Sequence, residues 1–275
     1  QAVGQAAGSK VEIVSGFASG YGADPGEKEN HAWNAIKLPQ GWRLMDCTWG
    51  AGSLGQDRKF HKQFQDYYFL TPAAQFLVTH IPTEDRWQLL LPPITRQEFL
   101  KRPKKQPEFF NLGLSVVQEV GQLQADPRTV VELRAPAHVY LSAELENSQG
   151  VEVENATLVD RDEERILVKV LAPQPGAYRL LVFAAPVDQG FSKSVLEYQV
   201  NARSGQPDGY PQTYPKFQAK GGYIFSPSVG TLTPGVHHFE IELPGARSVF
   251  LNDWNNSLTR QGDRFVGDIS VESGR

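Results

Sequence analysis

Six short strand-like runs, each separated from the next by turn-forming residues, constrain the fold of this chain more than any other sequence feature. They occupy residues 129–134, 138–145, 156–160, 165–171, 177–183 and 195–200. In the second run, apolar residues at the odd positions alternate with Tyr140, Ser142 and Glu144, which predicts one buried face and one solvent-exposed face. Several such strands in close succession are typical of a β-sandwich.

Two segments rich in prolines, charges and turn formers divide the 275 residues into three predicted domains. They are "KRPKK" at 101–105 and "SGQPDGYPQTYP" at 204–215, and their composition is typical of exposed linkers. The predicted domains are 1–106, 107–203 and 204–275. The last contains "HHFEIELPGARSVFLNDW" and "RFVGDISV", which predict a second, shorter β-sandwich. Its sequence stops soon after the last strand-like run, as expected for a truncated domain.

The balance of charges argues against nucleic acid or a membrane as a partner. With 27 Lys and Arg against 31 Asp and Glu, the formal net charge is −4, and the pI is about 5.9, so no strong positive field attracts either. No apolar run approaches the roughly 20 residues of a membrane-spanning helix. The single cysteine allows no internal disulfide and is typical of a reducing compartment such as the cytoplasm.

The sequence has none of the spacing patterns that indicate a cofactor or a metal. No Cys/His set has zinc spacing, no Asp-rich loop has the spacing of a calcium-binding EF-hand, and no phosphate-binding loop or dinucleotide fingerprint is present. We therefore predict a protein without a cofactor or a metal.

The first predicted domain combines helical and strand-like patterns. "QAVGQAAGSK" at 1–10 predicts the last turns of a helix with Gly8 after its end. "VEIVSGFA" at 11–18 predicts a strand, and "HAWNAIKL" and "WRLMDCTW" on either side of "PQG" predict a hairpin. Aromatic residues at 60, 64, 67 and 68 have the spacing of a helix with a buried face.

The hairpin brings together the residue types of a thiol acyl-transfer site. Such a site needs a thiolate that attacks a carbonyl, an imidazole that takes and returns the proton, and an acid or amide that orients the imidazole. His31 and Asp46 supply the last two groups if they share one face of the hairpin. The only cysteine of the chain, Cys47, directly follows Asp46.

The length of the hairpin connection decides which side chains share a face with His31. A four-residue connection puts Trp33 opposite Asp46 and His31 diagonal to Asp46, with Cys47 on the other face. A three-residue connection reverses this arrangement and brings Cys47 to the face of His31. Spacing by itself leaves both registers open.

Several neighbours of the pair are expected to support it. Trp33, Trp42 and Trp49 are expected to pack as walls of the hairpin, with shielding of the site from water as an alternative role for Trp33 and Trp49. Asn34 is expected to donate a hydrogen bond, either to a nearby backbone group or to a substrate carbonyl. His80, in "VTHIP", is expected to be a structural residue.

The segment "HAWNAIKLPQGWRLMDCTWGAG" at 31–52 resembles the His and Asp blocks of the transglutaminase-like superfamily, in which HAWN is followed by an Asp-x-Thr-Trp-Gly block. Further segments are similar to the kyphoscoliosis peptidase and hillarin branch of that superfamily: "VSGFASGYG", "YYFLTPAAQFLVTHIPTEDRWQLL" and "YIFSPSVGTLTPGVHHFEIELPGA". The resemblance covers nearly the whole chain, and the HAWN-to-DCTWG block is its most specific part.

The resemblance implies an α+β protein, in which the C-terminal part of a papain-like transglutaminase core precedes two immunoglobulin-like β-sandwich domains. It implies that His31 and Asp46 belong to a Cys–His–Asp triad whose cysteine lies N-terminal to the matched segment, at the start of a helix. No residue of this sequence matches that nucleophile. Cys47 is then expected to be a small buried core residue, and these 275 residues are expected to be inactive by themselves.

The resemblance also implies a function and a location. It implies a cysteine peptidase more than a crosslinking enzyme, acting on a protein substrate in the cytoplasm and associated with the cytoskeleton. The alternative is an inactive transglutaminase-like scaffold that binds cytoskeletal proteins through its β domains. A cysteine at the upstream nucleophile position supports the enzyme, and any other residue there supports the scaffold.

Overall fold

The computed structural model of the chain describes residues 1–19, 26–55, 57–187, 189, 193–251 and 256–272. The chain divides into two compact units, an N-terminal unit at Gln1–Pro107 and a C-terminal unit at Glu108–Arg275. In the described residues no helix is long and apolar enough to cross a membrane.

The structure is mostly β-sheet with a few short helices, a smaller helical share than the predicted α+β class implies. The described α-helices have only four or five residues each: α1 (Ala2–Ala6), α2 (Cys47–Ala51), α3 (Ala73–Phe76), α4 (Arg96–Leu100), α5 (Pro107–Asn111) and α6 (Pro215–Ala219). Single 3-10 turns occur at Asp66–Tyr68 and Asp85–Gln88.

The N-terminal unit is built on one antiparallel sheet. The strands within the residue range of this unit are β1 (Val11–Ala18), β2 (His31–Leu38), β3 (Gly41–Met45), β4 (Gly52–Leu54), β5 (Phe60–Lys62), β6 (His80–Pro82) and β7 (Lys104–Lys105). The main sheet has the order β3-β2-β1-β6, and β4 pairs with β5 in a separate hairpin. Because β1 lies between β2 and β6, the strands that begin with His31 and with His80 pair with opposite edges of one strand.

The core of this unit lies on the face of the sheet that carries the tryptophans. It consists of Val14, Trp33, Ala35, Leu44, Phe76 and Trp87. Trp33 and Ala35 occupy alternate positions of β2 and are both buried, as the period of a strand requires. The same face continues toward His31.

Most local predictions for this unit are confirmed. The strand predicted at 11–18 is β1, and α1 ends at Ala6 with Gly8 at a positive φ of 76°. The helix predicted through the aromatic residues at 60–68 is wrong, because this stretch contains a strand and one 3-10 turn. Phe60 and Phe64 are exposed, so their spacing does not mark a buried helical face.

The C-terminal unit contains two facing sheets and a third sheet. Its strands are β8 (Ser115–Val116), β9 (Gln122–Ala125), β10 (Arg128–Arg134), β11 (Val139–Asn147), β12 (Thr157–Asp162), β13 (Arg165–Leu171), β14 (Gly176–Pro186), β15 (Lys193–Ala202), β16 (Tyr223–Ser226), β17 (Gly235–Glu242), β18 (Thr259–Gln261) and β19 (Arg264–Val271). One sheet has the order β12-β13-β10-β8, and the other contains β11-β14-β15 with β9 parallel to β15.

These two sheets share one apolar core, which is the arrangement of a β-sandwich. Leu133 and Ile166 enter it from the first sheet, and Leu141, Leu180 and Val200 enter it from the second. All six predicted strand-like runs are confirmed as strands, β10 to β15. The alternation of apolar and polar residues in these runs therefore correctly predicted the β-sandwich that dominates this unit.

The prediction that β11 has one wet face is wrong for its first half. Tyr140 and Ser142 are 3% and 8% exposed, while the apolar residues on the other face are buried as predicted. Residues that follow in the chain cover the outer face, and the Tyr223 hydroxyl accepts a hydrogen bond from the Leu141 N–H at 3.3 Å. The strand is therefore buried on both faces there.

The predicted second sandwich corresponds to a single sheet. Residues 204–275, where described, contain one four-stranded sheet in the order β16-β17-β19-β18, and its core includes Ile241, Leu258 and Phe265. Four strands of this length form one layer, whereas a sandwich requires two.

The two segments interpreted as solvated linkers are partly buried. Pro103 and Lys105 of "KRPKK" are buried, and so is Tyr210 of the second segment. The Tyr210 N–H donates to the Asn155 carbonyl at 2.7 Å, and its ring packs with Leu158. The predicted boundaries at 106/107 and 203/204 stay predictions.

Candidate active site

The register of β2 and β3 decides which side chains meet at the site. Leu38 pairs with Gly41 at the turn, which is the register of the four-residue connection. In this register Trp33 is opposite Asp46, and His31 is the diagonal neighbour of Asp46 on the same face. His31 Nε2 lies 2.6 Å from Asp46 Oδ2.

Asp46 connects the sheet to a helix and accepts hydrogen bonds with both carboxylate oxygens. It follows the end of β3 and caps the N-terminus of α2, where Oδ1 accepts from the backbone N–H groups of Thr48 at 2.8 Å and Trp49 at 3.1 Å. Oδ2 accepts from Nε2 of His31 at 2.6 Å and from Nε2 of His80 at 3.1 Å. Asp46 is only 1% exposed, so these donors replace its hydration.

The donors keep the buried carboxylate ionised. Burial raises the pKa of Asp46, but the hydrogen bonds from His31 and His80 outweigh that effect and hold this pKa well below its usual range. An ionised carboxylate only accepts hydrogen bonds, so both histidines must carry a proton on Nε2. In neutral His31, Nδ1 is then the nitrogen that is able to accept a proton.

His80 belongs to this site, although sequence reasoning treated it only as structural. It is 0% exposed, and its Nδ1 lies 2.8 Å from Thr79 Oγ1. Its ring stacks on Phe76 with centroids 4.3 Å apart and lies 4.6 Å from the ring of Trp49. The available sequence signal was a histidine two residues before Pro82, in a short strand. No local pattern connects this histidine to Asp46.

The predicted aromatic neighbours surround His31. The ring of Trp49 lies 5.3 Å from His31, and that of Trp33 lies 6.2 Å from it. Trp33 is buried, and the His31 side chain is 16% exposed. Trp42 is directed elsewhere, because its ring packs edge-on against Trp87 at 5.0 Å.

The prediction that Cys47 is a buried core residue is wrong, because Cys47 is exposed. The prediction assumed that the strand continues past Asp46, but β3 ends at Met45 and Cys47 is the first residue of α2. Strand alternation therefore does not apply to it. Its Sγ lies 3.8 Å from Asn34 Oδ1, so Asn34 faces the thiol and lies on the face of β2 opposite His31.

The donor set of the site also resembles that of some metal centres. One ring nitrogen each of His31 and His80 and one carboxylate oxygen of Asp46 lie within 4.8 Å of one another, and two imidazoles with one carboxylate suit zinc or iron. Both nitrogens, however, already donate to the same carboxylate oxygen. That satisfies the carboxylate without a cation.

Several relatives match parts of the chain. Kyphoscoliosis peptidase of Mus musculus is 31% identical over 201 residues, which are 70% of this chain and 29% of the mouse protein. Hillarin of Drosophila melanogaster is 31% identical over 129 residues, or 41% of this chain and 16% of hillarin. Lim and transglutaminase domain protein ltd-1 of Caenorhabditis elegans is 24% identical over 239 residues, or 73% of this chain and 33% of that protein. The matches thus span about a third or less of each relative.

A family profile adds evidence for the C-terminal unit. The profile described as "KY-like, immunoglobulin-like domain" matches residues 96–213, a range that includes strands β8 to β15 of the sandwich. The immunoglobulin-like domain is thereby shown by sequence and by fold. Together with the relatives above, this match shows that the chain belongs to the kyphoscoliosis peptidase and hillarin branch.

Proposed function

We propose that the N-terminal unit is the His- and Asp-bearing part of a transglutaminase-like core in a cysteine peptidase or acyl-transfer protein. In this proposal the nucleophilic thiol lies N-terminal to the segment that matches this chain. The observation that carries the proposal is the 2.6 Å contact between His31 Nε2 and the buried carboxylate of Asp46.

The proton chemistry follows from this contact. Asp46 holds the proton of His31 on Nε2, so Nδ1 is the atom that takes the proton of the attacking thiol. The resulting imidazolium is stabilised by the carboxylate and returns the proton to the leaving amine. His31 is thus the general base and then the general acid, and Asp46 orients it.

The acceptor of the acyl group decides the reaction class. Attack of water on the thioester gives a peptidase or amidase, whereas attack of a lysine amine gives a crosslink between proteins. We propose the peptidase, which the resemblance to kyphoscoliosis peptidase supports. In this proposal Trp33 and Trp49 support the chemistry by limiting access of water to His31, and Asn34 has a structural role, because its Oδ1 accepts from the thiol of Cys47.

The second candidate is an inactive scaffold that binds cytoskeletal proteins through its β domains. The observation that supports this candidate is that Sγ of Cys47, the only cysteine in the sequence, contacts Asn34 Oδ1 at 3.8 Å, and Asn34 is on the face of β2 opposite His31. For both candidates we propose a cytoplasmic location at the cytoskeleton and protein partners, with no role for nucleic acid or a membrane span. The family resemblance supports that location.

The test compares this chain with a longer chain that continues N-terminally through the position of the family's cysteine. Both are assayed for peptide cleavage and for incorporation of an amine into a glutamine-bearing protein. We expect turnover by the longer chain alone, and His31→Ala should lower that turnover by about 10³-fold or more. His61→Ala is the matched control, because His61 pairs with Asp57 on an exposed hairpin, and it should keep full activity.

Two outcomes contradict the proposal, the first in the position of the nucleophile and the second in the enzymatic activity. Turnover by the 275-residue chain that disappears after alkylation of Cys47 would identify Cys47 as the nucleophile. A longer chain that folds and binds partners without any turnover, and without cysteine at the upstream position, would favour the scaffold.

A further inference from the structure

His80 contacts the proposed pair but takes no part in the proton transfer described above. Its Nε2 lies 3.1 Å from Asp46 Oδ2, the same oxygen that His31 contacts. Thr79 Oγ1 lies 2.8 Å from its other ring nitrogen. Four side chains therefore form a continuous hydrogen-bonded chain, in the order Thr79, His80, Asp46 and His31.

We propose that His80 is a positioning residue, whose Nε2–H fixes Asp46 Oδ2 in the orientation that meets His31 Nε2. The inference deepens the proposed function, and its catalytic meaning rests on that function. It adds a residue from β6 to a site that the hairpin of β2 and β3 otherwise provides.

The acceptor capacity of each group decides where the protons lie. Asp46 Oδ2 only accepts, so the proton of His80 is on Nε2, and Nδ1 accepts from the hydroxyl of Thr79. Burial lowers the pKa of His80, although the hydrogen bond and the charge of Asp46 oppose this effect. The neutral imidazole is therefore favoured, and it donates a hydrogen bond without placing a positive charge beside His31.

The ring of His80 is held on several sides, so it is able to impose an orientation on the carboxylate. Phe76 stacks on it at 4.3 Å, Trp49 lies at 4.6 Å and Trp33 meets it edge-on at 5.1 Å. Its backbone is fixed by the pairing of β6 with β1, where His80 is the partner of Ala18. A donor fixed in this way restricts rotation of the Asp46 carboxylate.

The main alternative is that His80 is a buried residue that matters only for stability. A histidine with that role contributes packing, and its replacement destabilises the unit without a specific effect on the His31–Asp46 contact. The two roles therefore predict different results for a His80 variant that stays folded. Only the positioning role predicts faster exchange of the His31 Nε2 proton with water.

The test uses histidine labelled with ¹⁵N in the 275-residue chain and needs no enzymatic activity. In the unmodified chain, His80 should show a protonated Nε2 and an unprotonated Nδ1 from about pH 6 to 8. In His80→Leu, the Nε2 proton of His31 should exchange with water about fivefold faster, because the carboxylate loses one of the donors that fix it. His80→Gln places an N–H near the original Nε2 and should restore slow exchange.

His61→Gln is the matched control, since its histidine is exposed and pairs with Asp57, and it should leave the His31 proton unaffected. Equal exchange in the unmodified chain and in folded His80→Leu would overturn the proposal. If His80→Leu does not fold, two other measurements decide the question. Fast exchange of the His31 Nε2 proton in His80→Gln would overturn the proposal. So would an unmodified chain in which the His80 ring carries its proton on Nδ1 and not on Nε2. Lack of turnover in the longer chain, by contrast, would refute only the proposed function.

Discussion

At the scale of single residues, Asp46 has three roles that depend on one position. It follows the last residue of β3, caps α2 and accepts hydrogen bonds from His31 and His80. The cap fixes Oδ1 and leaves Oδ2 for the imidazoles. A residue at a boundary between elements is therefore held from both sides, which is what an orienting carboxylate requires.

Replacement of Asp46 should have an effect on stability that depends on pH. Asp46→Asn leaves buried donors without an ionised acceptor and should lower the free energy of unfolding at pH 7 by about 3 kcal/mol. The folded-state pKa of Asp46 lies below the unfolded value, so its contribution is present above about pH 4 and is lost as the pH falls further. The difference in the free energy of unfolding between the unmodified chain and Asp46→Asn should therefore become smaller toward about pH 2. Urea unfolding at several pH values measures it.

Asp57→Asn is the control for this prediction, because the Asp57–His61 pair lies on the exposed β4–β5 hairpin. An exposed ion pair contributes little to the free energy of unfolding. Asp57→Asn should therefore have the same free energy of unfolding as the unmodified chain at every pH. A difference for Asp46→Asn that stays constant from neutral to acidic pH would show that the carboxylate charge is not what stabilises the site.

At the scale of elements, β1 determines whether β2 and β6 lie close enough to share a site. Gly16 pairs with His31 on one side and with Pro82 on the other. A Cβ atom on Gly16 would lie 2.7 Å from Pro82 Cα and 2.8 Å from Trp33 Cη2, and it would also overlap the Ile81 carbonyl oxygen. Close packing of the strands therefore requires glycine at this position.

Gly16→Ala should move β6 away from β1, because the backbone of β6 has no room for a methyl group. We expect a loss of about 1–3 kcal/mol in the free energy of unfolding, the usual cost of overpacking, together with a changed ¹⁵N signal of His80. Ser15→Ala, at the exposed neighbouring position, is the control and should change neither quantity. A Gly16→Ala protein with unchanged stability and an unchanged His80 signal would contradict the proposed constraint.

At the scale of the whole molecule, the two units have different kinds of core. The N-terminal unit has a small cluster dominated by Trp33, Phe76 and Trp87 next to its polar site. The C-terminal unit has a large aliphatic core between two sheets, in which Leu180 and Ile166 are fully buried. The sandwich is therefore where a core substitution should have its largest effect on stability.

Leu180→Ala should lower the free energy of unfolding of the C-terminal unit by about 2–5 kcal/mol, because it removes buried methyl groups and leaves a cavity. Val130→Ala is the control, since Val130 is 49% exposed on β10, and its effect should stay within about 0.5 kcal/mol. Urea unfolding followed by circular dichroism measures both. Equal effects of the two substitutions would contradict a core centred between the facing sheets.

The sequence by itself determined the features that depend on local periodicity and short separations. Alternation of apolar residues predicted β1 and the strands of the sandwich, because side-chain direction along a strand has a period of two. The contact of His31 with Asp46 was also accessible, because a hairpin joins two residues only 15 positions apart. Only the choice between two registers was left open, and Leu38 pairing with Gly41 decided it.

Tertiary structure alone decided the features that depend on which distant segments pack together. His80 is 34 positions from Asp46, and only the pairing of β6 with β1 brings it to the carboxylate. Ser142 and Lys105 are buried, although both are polar residues at positions that local pattern assigns to solvent. Cys47 is exposed because α2 begins at this residue, where the alternating pattern of the sequence predicts a continued strand. Burial is a property of the complete set of neighbours, and a periodic pattern specifies only which way each side chain points.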